Sequence, residues 1–311
     1  MNQLRVAFFT EAGKKEGMGH LVRCQTIKNI FVKYNYYIDF YLQSDIDFSF
    51  KYNNLLKFTW DNFNLTKHYD FIFIDSYIAS IDIYNIIYKY CKLAIYIDDY
   101  NRLSYPNGVI LNFAPDAKDY FKPSSKYTYL LGTNYLPIRE EFKYIMKNQK
   151  THIIIILGGS NNTNLSLSSL IINTMDNINI HKVIVVNNIS IKKDLEKYTN
   201  LTVLYKPDDK ILINYMSNSI CAISTASMSL YELSALNIPT SIIAVAKNQL
   251  IGVKQLIQNK IAKYYVDITK KNWQKELFTY TNLLLKDNTY KSTITLNGTT
   301  NIYTDIIRLL K

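Results

Sequence analysis

The chain has 311 residues, of which 48% are apolar and 20% charged. It can therefore bury one large core or two of ordinary size, and its composition is not that of a disordered protein. The formal net charge is +11, but only five of the 36 basic residues are arginines and the lysines are spread along the chain. That spread argues against a nucleic-acid binder, and it suits a small anionic substrate equally well.

Apolar runs alternate with helical patterns through the first half of the chain. The helical spacing of apolar residues predicts helices over Leu21–Tyr34 and Ile81–Lys92. Runs rich in Ile, Val, Phe and Tyr predict strands at Leu4–Phe9, Tyr37–Leu42, Phe71–Ile74, Leu93–Ile97 and Val109–Leu111. Strands alternating with helices indicate an α/β domain with a mostly parallel sheet.

The same alternation starts again after residue 150. Helices are predicted over Asn164–Met175 and Lys192–Tyr198. Strands are predicted at His152–Leu157, Lys182–Val186, Leu201–Leu204, Ser219–Ile223 and Thr240–Ala244. We therefore expect two doubly wound, Rossmann-like domains facing a cleft. They would comprise residues 1–138 and 139–300, with a closing helix in residues 301–311 that packs back on the first domain.

A glycine-rich loop follows the first strand. Gly17 and Gly19 precede His20 at the start of the first helix. Glycine lets a ligand approach the backbone, and a helix N-terminus favours negative charge. His20 lies where open α/β sheets place their ligands, and an imidazole can accept a proton near neutral pH. A tight structural turn is the alternative, because Gly-x-Gly alone is not the dinucleotide fingerprint.

Three further loops in the second half follow predicted strands. Small and hydroxyl residues before a helix suit phosphate oxygens, and a carboxylate one turn into the helix can accept hydrogen bonds from ribose hydroxyls. The candidates are Gly158, Gly159 and Ser160 in the first loop, Ser224, Ser227, Met228 and Glu232 in the second, and Asn248 and Gln249 in the third. Ordinary turns and an N-capped helix are the alternatives.

Acidic and aromatic residues close two strands of the first half. Asp75 and Tyr77 follow one strand, and Asp98 and Asp99 follow the next. Together they predict a polar rim at the sheet edge. A carboxylate, either Glu11 or Asp98, is expected to orient the ring of His20. No set of His, Cys, Asp or Glu has metal-ligand spacing, so the sequence predicts neither a metal nor a cofactor.

These motifs together resemble the UDP-sugar hydrolases of bacterial pseudaminic acid biosynthesis. The resemblance runs from residue 5 to about residue 265, and the motifs occur in the order of that family. They are Gly17-x-Gly19-His20-x-x-Arg23, Ile74-Asp75-Ser76-Tyr77, Ile97-Asp98-Asp99, Leu111-Asn112, Leu131-Gly132-x-x-Tyr135-x-Pro137-x-Arg139-x-x-Phe142, Gly158-Gly159-Ser160, Ser224-x-x-Ser227 with Glu232, and Asn248-Gln249. The lipid-linked peptidoglycan GlcNAc transferases are similar in fold and in the first loop.

The resemblance implies a GT-B fold in which the second domain binds UDP and the first faces the sugar. His20 would be the general base that activates water, with inversion at the anomeric carbon, and Tyr77 would lie near the sugar. Arg23, Asn112 and Arg139 would bind substrate. The implied substrate is a UDP-linked 2,4-diacetamido-2,4,6-trideoxy sugar on a pathway to flagellin glycosylation, and UDP is the product.

One segment departs from the family. Where its members have an Arg-x-Asp pair, this chain has Phe9-Thr10-Glu11. Glu11 can replace the aspartate, but Phe9 cannot replace a guanidinium. A GT-B glycosyltransferase with a related donor therefore remains the alternative function. No window reaches the roughly eighteen apolar residues of a membrane span, and no signal peptide is visible. We expect a cytoplasmic, monomeric enzyme.

Overall fold

The computed structural model describes residues 3–48, 55–145, 149–158, 164–245 and 250–310. It divides the chain into two compact units. Unit 1 comprises Met1–Glu140 together with Thr295–Lys311, and unit 2 comprises Glu141–Ile294.

Unit 1 is built on a parallel sheet in which seven strands are described. The strands are β1 (Arg5–Ala12), β2 (Tyr37–Ser44), β3 (Leu55–Lys57), β4 (Tyr69–Asp75), β5 (Cys91–Ile97), β6 (Gly108–Asn112) and β7 (Tyr127–Leu131), and the helices between them are α1 (Gly19–Lys33), α2 (Ile81–Tyr88) and α3 (Ala117–Tyr120). The strand order is β3-β2-β1-β4-β5-β6-β7. The order reverses between β1 and β4, and the crevice at such a point is where open sheets of this type bind ligands.

Unit 2 repeats this topology with six described strands in the order β10-β9-β8-β11-β12-β13, all of them parallel. The strands are β8 (His152–Ile156), β9 (His181–Val186), β10 (Leu201–Tyr205), β11 (Ser219–Ser224), β12 (Thr240–Ala244) and β13 (Tyr264–Asp267), and the helices are α4 (Asn164–Thr174), α5 (Ile189–Leu195), α6 (Asp209–Ser217), α7 (Met228–Ala235), α8 (Leu250–Gln258) and α9 (Trp273–Leu285). Its order reverses between β8 and β11.

The central strands are buried and mostly apolar because helices cover both faces of a parallel sheet. Every residue of β4 and of β8 is buried. The core of unit 1 is rich in aromatic residues such as Phe9, Trp60 and Tyr96. The core of unit 2 is mainly aliphatic, with Ile155 and Ile223 among its members.

The last helix, α10 (Gly298–Leu310), belongs to unit 1. Tyr303 stacks on Tyr34 just after the end of α1, with ring centroids 4.3 Å apart, and it meets Phe31 of α1 edge-on. Gly298 approaches the backbone so closely that a methyl group there would lie 1.9 Å from the carbonyl oxygen of Leu136. The contact therefore requires glycine at position 298.

The predicted α/β architecture is confirmed, with local differences in the elements. β1 extends to Ala12, three residues beyond the prediction. The predicted helix over Ile81–Lys92 is wrong at its end, because α2 stops at Tyr88 and β5 begins at Cys91. Residues 88–91, Tyr-Lys-Tyr-Cys, fit the apolar spacing of a helix and that of a strand equally well. In the part of the chain that the structure describes, every helix is too short or too polar to cross a lipid bilayer.

Candidate active site

His20 and Asp75 meet at the switch point of unit 1. Asp75 is the last residue of β4, and His20 is the second residue of α1, which follows β1. Nδ1 of His20 lies 2.6 Å from Oδ1 of Asp75. His20 is 5% exposed and Asp75 is fully buried. The expected partner carboxylate, Glu11 or Asp98, is thus corrected to Asp75.

The contact with Asp75 fixes the proton of His20. A carboxylate oxygen can only accept, so Nδ1 at 2.6 Å must carry the hydrogen. Nε2 then holds the lone pair, and among the described residues it has no hydrogen-bond partner. When the imidazole is neutral, the arrangement therefore leaves Nε2 available to accept a proton.

Arg23 holds the same carboxylate from one turn further along α1. Its Nε and Nη2 each donate to Asp75 at 2.5 Å, and its Nη1 donates to both oxygens of Asp99 at 2.9 and 3.2 Å. The guanidinium also lies over the ring of Phe113. Burial would raise the pKa of Asp75, but Arg23 and then His20 outweigh it and hold that pKa well below its usual range. Arg23 was predicted to bind substrate. In the structure its guanidinium donates hydrogen bonds to two carboxylates.

Tyr77 completes a ring of contacts around His20. Its hydroxyl donates to Oδ2 of Asp99, and its ring meets the imidazole edge-on with centroids 4.4 Å apart. Burial and then the Asp99 carboxylate raise the pKa of Tyr77, so the phenol stays protonated. With a neutral imidazole the ring holds two carboxylates and one guanidinium. A proton taken up by His20 would therefore balance the charge.

Glu11 is buried and anchors the loop that carries Tyr77. Its Oε2 accepts hydrogen bonds from Nε1 of Trp60 at 2.8 Å and from the hydroxyl of Ser76 at 2.5 Å. Its Oε1 accepts from the backbone nitrogen of Tyr77 at 2.7 Å. Glu11 acts on the site by positioning that loop.

Asp98 and Asn112 hold the loops that follow β5 and β6. Asp98 accepts from the backbone nitrogens of Tyr100 and Arg102 at 2.9 and 2.8 Å. The side chain of Asn112 donates to the carbonyl of Asp98 and accepts from the nitrogen of Ala114, both at 2.8 Å. In the structure their polar atoms hold the backbone, and the catalysis and substrate binding predicted for them stay predictions.

The departure at Phe9 has a structural explanation. Phe9 is fully buried, stacks on Tyr41 with centroids 4.4 Å apart, and meets Phe58 and Phe63. A guanidinium at this position would be buried among aromatic rings. At this position unit 1 has a residue of its core where the family that the motifs resemble has a charged residue.

The loop before α1 is closed by its glycines. Gly13 and Gly17 exchange two backbone hydrogen bonds of 2.9 and 3.1 Å, and Gly17 has a φ of +76°, which favours glycine. Gly19 begins α1, whose first turn has no acidic residue and whose N-cap residue, Met18, makes no side-chain cap. The helix N-terminus beside His20 is thus left to interact with an anion.

The other histidines have structural surroundings. His152 is buried, its Nε2 lies 2.9 Å from the carbonyl oxygen of Tyr215, and burial lowers its pKa below the ordinary 6.5. His181 is exposed and its nitrogens face Asn200 and Thr202. His68 is also exposed. Only His20 lies at the carboxyl ends of strands.

Unit 2 brings two of its predicted loops together at its own switch point. The nitrogen of Gly158, just after β8, donates to Oγ1 of Thr225 after β11 at 3.0 Å. A methyl group at Gly158 would lie 3.0 Å from Cβ of Ser227. The hydroxyl of Ser227 is buried without a hydrogen-bond partner in the structure, and as N-cap of α7 it makes no side-chain cap. An unsatisfied donor at a helix N-terminus suits a phosphate oxygen.

The other residues that were predicted to bind substrate or nucleotide do not share one position. Ser224 is buried and donates to the carbonyl of Ile156 at 3.1 Å, so its hydroxyl ties strands together. Met228 begins α7 and is partly buried, and Glu232 on the same helix is buried. Arg139, in unit 1, is partly buried just before a short 3₁₀ helix at Glu140–Tyr144. Gly159, Ser160, Asn248 and Gln249 lie outside the described residues.

Two members of the site carried no role in the sequence prediction. Asp75 and Asp99 were recognised only as parts of motifs and of a polar rim. The signal for Asp75 was its position at the end of the strand that pairs with β1, and pairing was not readable from the sequence. In the described part of the chain, no group of three His, Cys, Asp or Glu side chains could hold a metal ion.

Comparison with solved structures shows which architecture the chain has. No protein-family model matches the chain. The UDP-GlcNAc 2-epimerase of Methanocaldococcus jannaschii, solved with UDP-GlcNAc and UDP, matches 98% of this chain and 100% of its own, with a TM-score of 0.66 and 8% identity. MurG of Acinetobacter baumannii matches 98% of this chain and 99% of its own, with a TM-score of 0.61 and 12% identity. The predicted GT-B fold with two Rossmann-like domains is confirmed.

A curated protein is similar to the chain in its sequence. Over 245 residues, 77% of this chain and 44% of the relative, it is 29% identical to the pseudaminic acid cytidylyltransferase and UDP-2,4-diacetamido-2,4,6-trideoxy-beta-L-altropyranose hydrolase of Helicobacter pylori. The resemblance predicted from the motifs is confirmed. A second curated relative is an uncharacterised M. jannaschii protein, of which the match covers 56%. The chain thus spans about half the length of the curated relatives it matches.

Proposed function

We propose that the chain hydrolyses a UDP-linked 2,4-diacetamido-2,4,6-trideoxyhexose, releasing UDP and the free sugar, as a step of pseudaminic acid biosynthesis. The observation that carries the proposal is the contact of 2.6 Å between Nδ1 of His20 and the buried Asp75, which leaves Nε2 as a base. The similarity to a protein named as a hydrolase of such a substrate supports the choice of reaction.

The proposed chemistry needs one base and a stabilised leaving group. Nε2 of His20 takes a proton from water as the water oxygen forms a bond to the anomeric carbon. The bond from that carbon to the diphosphate oxygen breaks on the opposite face, so the configuration inverts. UDP leaves as an anion, and its charge can be stabilised by helix N-termini and backbone N–H groups without a metal. A positioned base typically contributes 10²–10⁴-fold to the rate.

Unit 2 is proposed to hold the nucleotide. The loops at Gly158 and Thr225 meet at its switch point, and the unpartnered hydroxyl of Ser227 lies at the start of α7. The charge distribution agrees, because unit 2 has 18 lysines and no arginine against 10 acidic residues, a surplus of +8 in a chain of +11. A positively charged domain attracts a diphosphate and speeds its association.

UDP is expected to protect the amides of Gly158 and residues 225–229 from hydrogen exchange, because the bound nucleotide would cover the two loops that carry them. Exchange followed by mass spectrometry with and without UDP measures this. The loop at residues 13–17 of unit 1 is the internal comparison. Protection confined to unit 1 would place the nucleotide elsewhere and refute this part of the proposal.

The reaction is tested by incubating the protein with the UDP-sugar and no acceptor. We expect free UDP and free sugar in equal amounts, and NMR during the first turnovers should show the anomer opposite to that of the substrate. A sugar released with retained configuration would contradict direct attack by water. If UDP appears only when an alcohol acceptor is added, the chain is a glycosyltransferase, the second function that this fold supports.

The same assay with EDTA tests the proposed independence of metals. Turnover should stay nearly unchanged, because the donors named above are N–H and O–H groups of the protein. A large loss that Mg²⁺ or Mn²⁺ restores would show that a metal stabilises the leaving group.

A further inference from the structure

We propose that Arg23 and Asp75 form a positioning pair that fixes the tautomer of His20, with Arg23 keeping Asp75 ionised. The inference rests on the proposed function for its kinetic consequence only. The tautomer itself is a property of the ligand-free protein and can be measured without turnover.

The geometry makes Asp75 dependent on Arg23. Asp75 is fully buried, and a buried carboxylate without a cation becomes protonated. Arg23 supplies two donors at 2.5 Å to opposite oxygens of this carboxylate, a planar bidentate contact that lysine cannot reproduce. Arg23 is itself held by the two bonds from its Nη1 to Asp99.

Two further titratable groups near Asp75 are neutral. Cys24, on α1, has its sulfur 3.5 Å from Oδ2 of Asp75, and burial and then Asp75 raise the pKa of its thiol. Burial also raises the pKa of Tyr84 on α2, and the charge of Asp75 contributes to that rise. Among the described residues, the cations that face Asp75 are thus Arg23 and, after it takes a proton, His20.

Loss of Arg23 should therefore change the state of His20. A protonated Asp75 would offer its hydrogen to Nδ1, which would then become the acceptor. The ring proton would move to Nε2, the nitrogen that the reaction needs as a base. Raising the pH would ionise Asp75 again and restore the active tautomer.

The test is nitrogen-15 NMR of the imidazoles in protein labelled at histidine, above the pH at which free imidazole is protonated. The chain has only four histidines, and His20→Ala assigns the signal. We expect hydrogen on Nδ1 in the wild type and in Arg23→Lys, which retains the charge, and on Nε2 in Arg23→Met. The rate of Arg23→Met at neutral pH should fall by about 10²–10⁴-fold. It should recover as the pH rises, without a change in UDP affinity.

Lys67→Met is the matched control, because Lys67 pairs with a different carboxylate, that of Asp39 on β2, at 3.0 Å. It should leave the tautomer and the pH profile as in the wild type. If Arg23→Met does not fold, Arg23→Gln, which also removes the charge but keeps a polar side chain, gives the same readout of the Nδ1 hydrogen. A folded Arg23→Met with hydrogen still on Nδ1 would overturn the inference. A wild type with the expected tautomer but no hydrolysis would instead refute the proposed function and leave this inference standing.

Discussion

His20→Ala is expected to lower kcat by about 10²–10⁴-fold while UDP affinity stays nearly intact. The base is removed from unit 1, and the proposed nucleotide contacts at Gly158 and Ser227 belong to unit 2. Steady-state kinetics and calorimetric titration with UDP measure the two quantities separately.

His68→Ala is the control for this experiment, since His68 is exposed and has no place in the site. It should behave as the wild type. Near-normal turnover of His20→Ala would make His20 a structural residue, and the base would have to be sought elsewhere. A parallel loss of kcat and of UDP affinity would indicate that the variant has disturbed more than the base.

Asp75→Asn is expected to cost a similar factor, about 10²–10⁴-fold in kcat. The side chain keeps its size but loses its charge, so it no longer fixes the hydrogen on Nδ1 or stabilises the imidazolium that forms in the reaction. One of its two polar atoms becomes a donor facing the donors of Arg23 and His20. Kinetics with circular dichroism as a check of folding measure the effect.

Asp70→Asn provides a control on the same strand. Asp70 lies at the opposite end of β4, where it accepts from the nitrogen of Arg5 at 2.8 Å and from Lys92 at 2.7 Å. It has the same change of charge without contact to His20, so its kcat should stay near the wild-type value. If Asp70→Asn lost as much activity as Asp75→Asn, the loss would reflect the stability of β4 and not the base.

The fold was predictable from the sequence because its signals are local. A buried parallel strand is a continuous apolar run, as in Ile153–Ile156, and a helix repeats its apolar residues at helical spacing. Helix and strand boundaries were less certain where both patterns fit the same residues, as at Tyr88–Cys91.

The site was predictable only in part. His20 was found because a glycine loop precedes it and a predicted strand ends just before. A carboxylate was expected to orient its ring, and Glu11 and Asp98 were the candidates named, because carboxylates close several strands of the first half. The choice of Asp75 depends on β4 pairing with β1, which joins residues 55 positions apart. The role of Arg23 was not predictable for the same reason, because it depends on Asp75 and Asp99 both lying beside its guanidinium.

The discontinuity of unit 1 has a consequence for the order in which the protein is made. During synthesis, β1 and α1 leave the ribosome before unit 2, while α10, which covers Phe31 and Tyr34, leaves after it. Unit 2 is continuous and can fold in the interval. The helix that carries His20 must therefore wait, with an aromatic surface uncovered, until unit 2 has been translated. Removal of residues 298–311 would uncover that helix, and with it a candidate site whose residues begin at position 20.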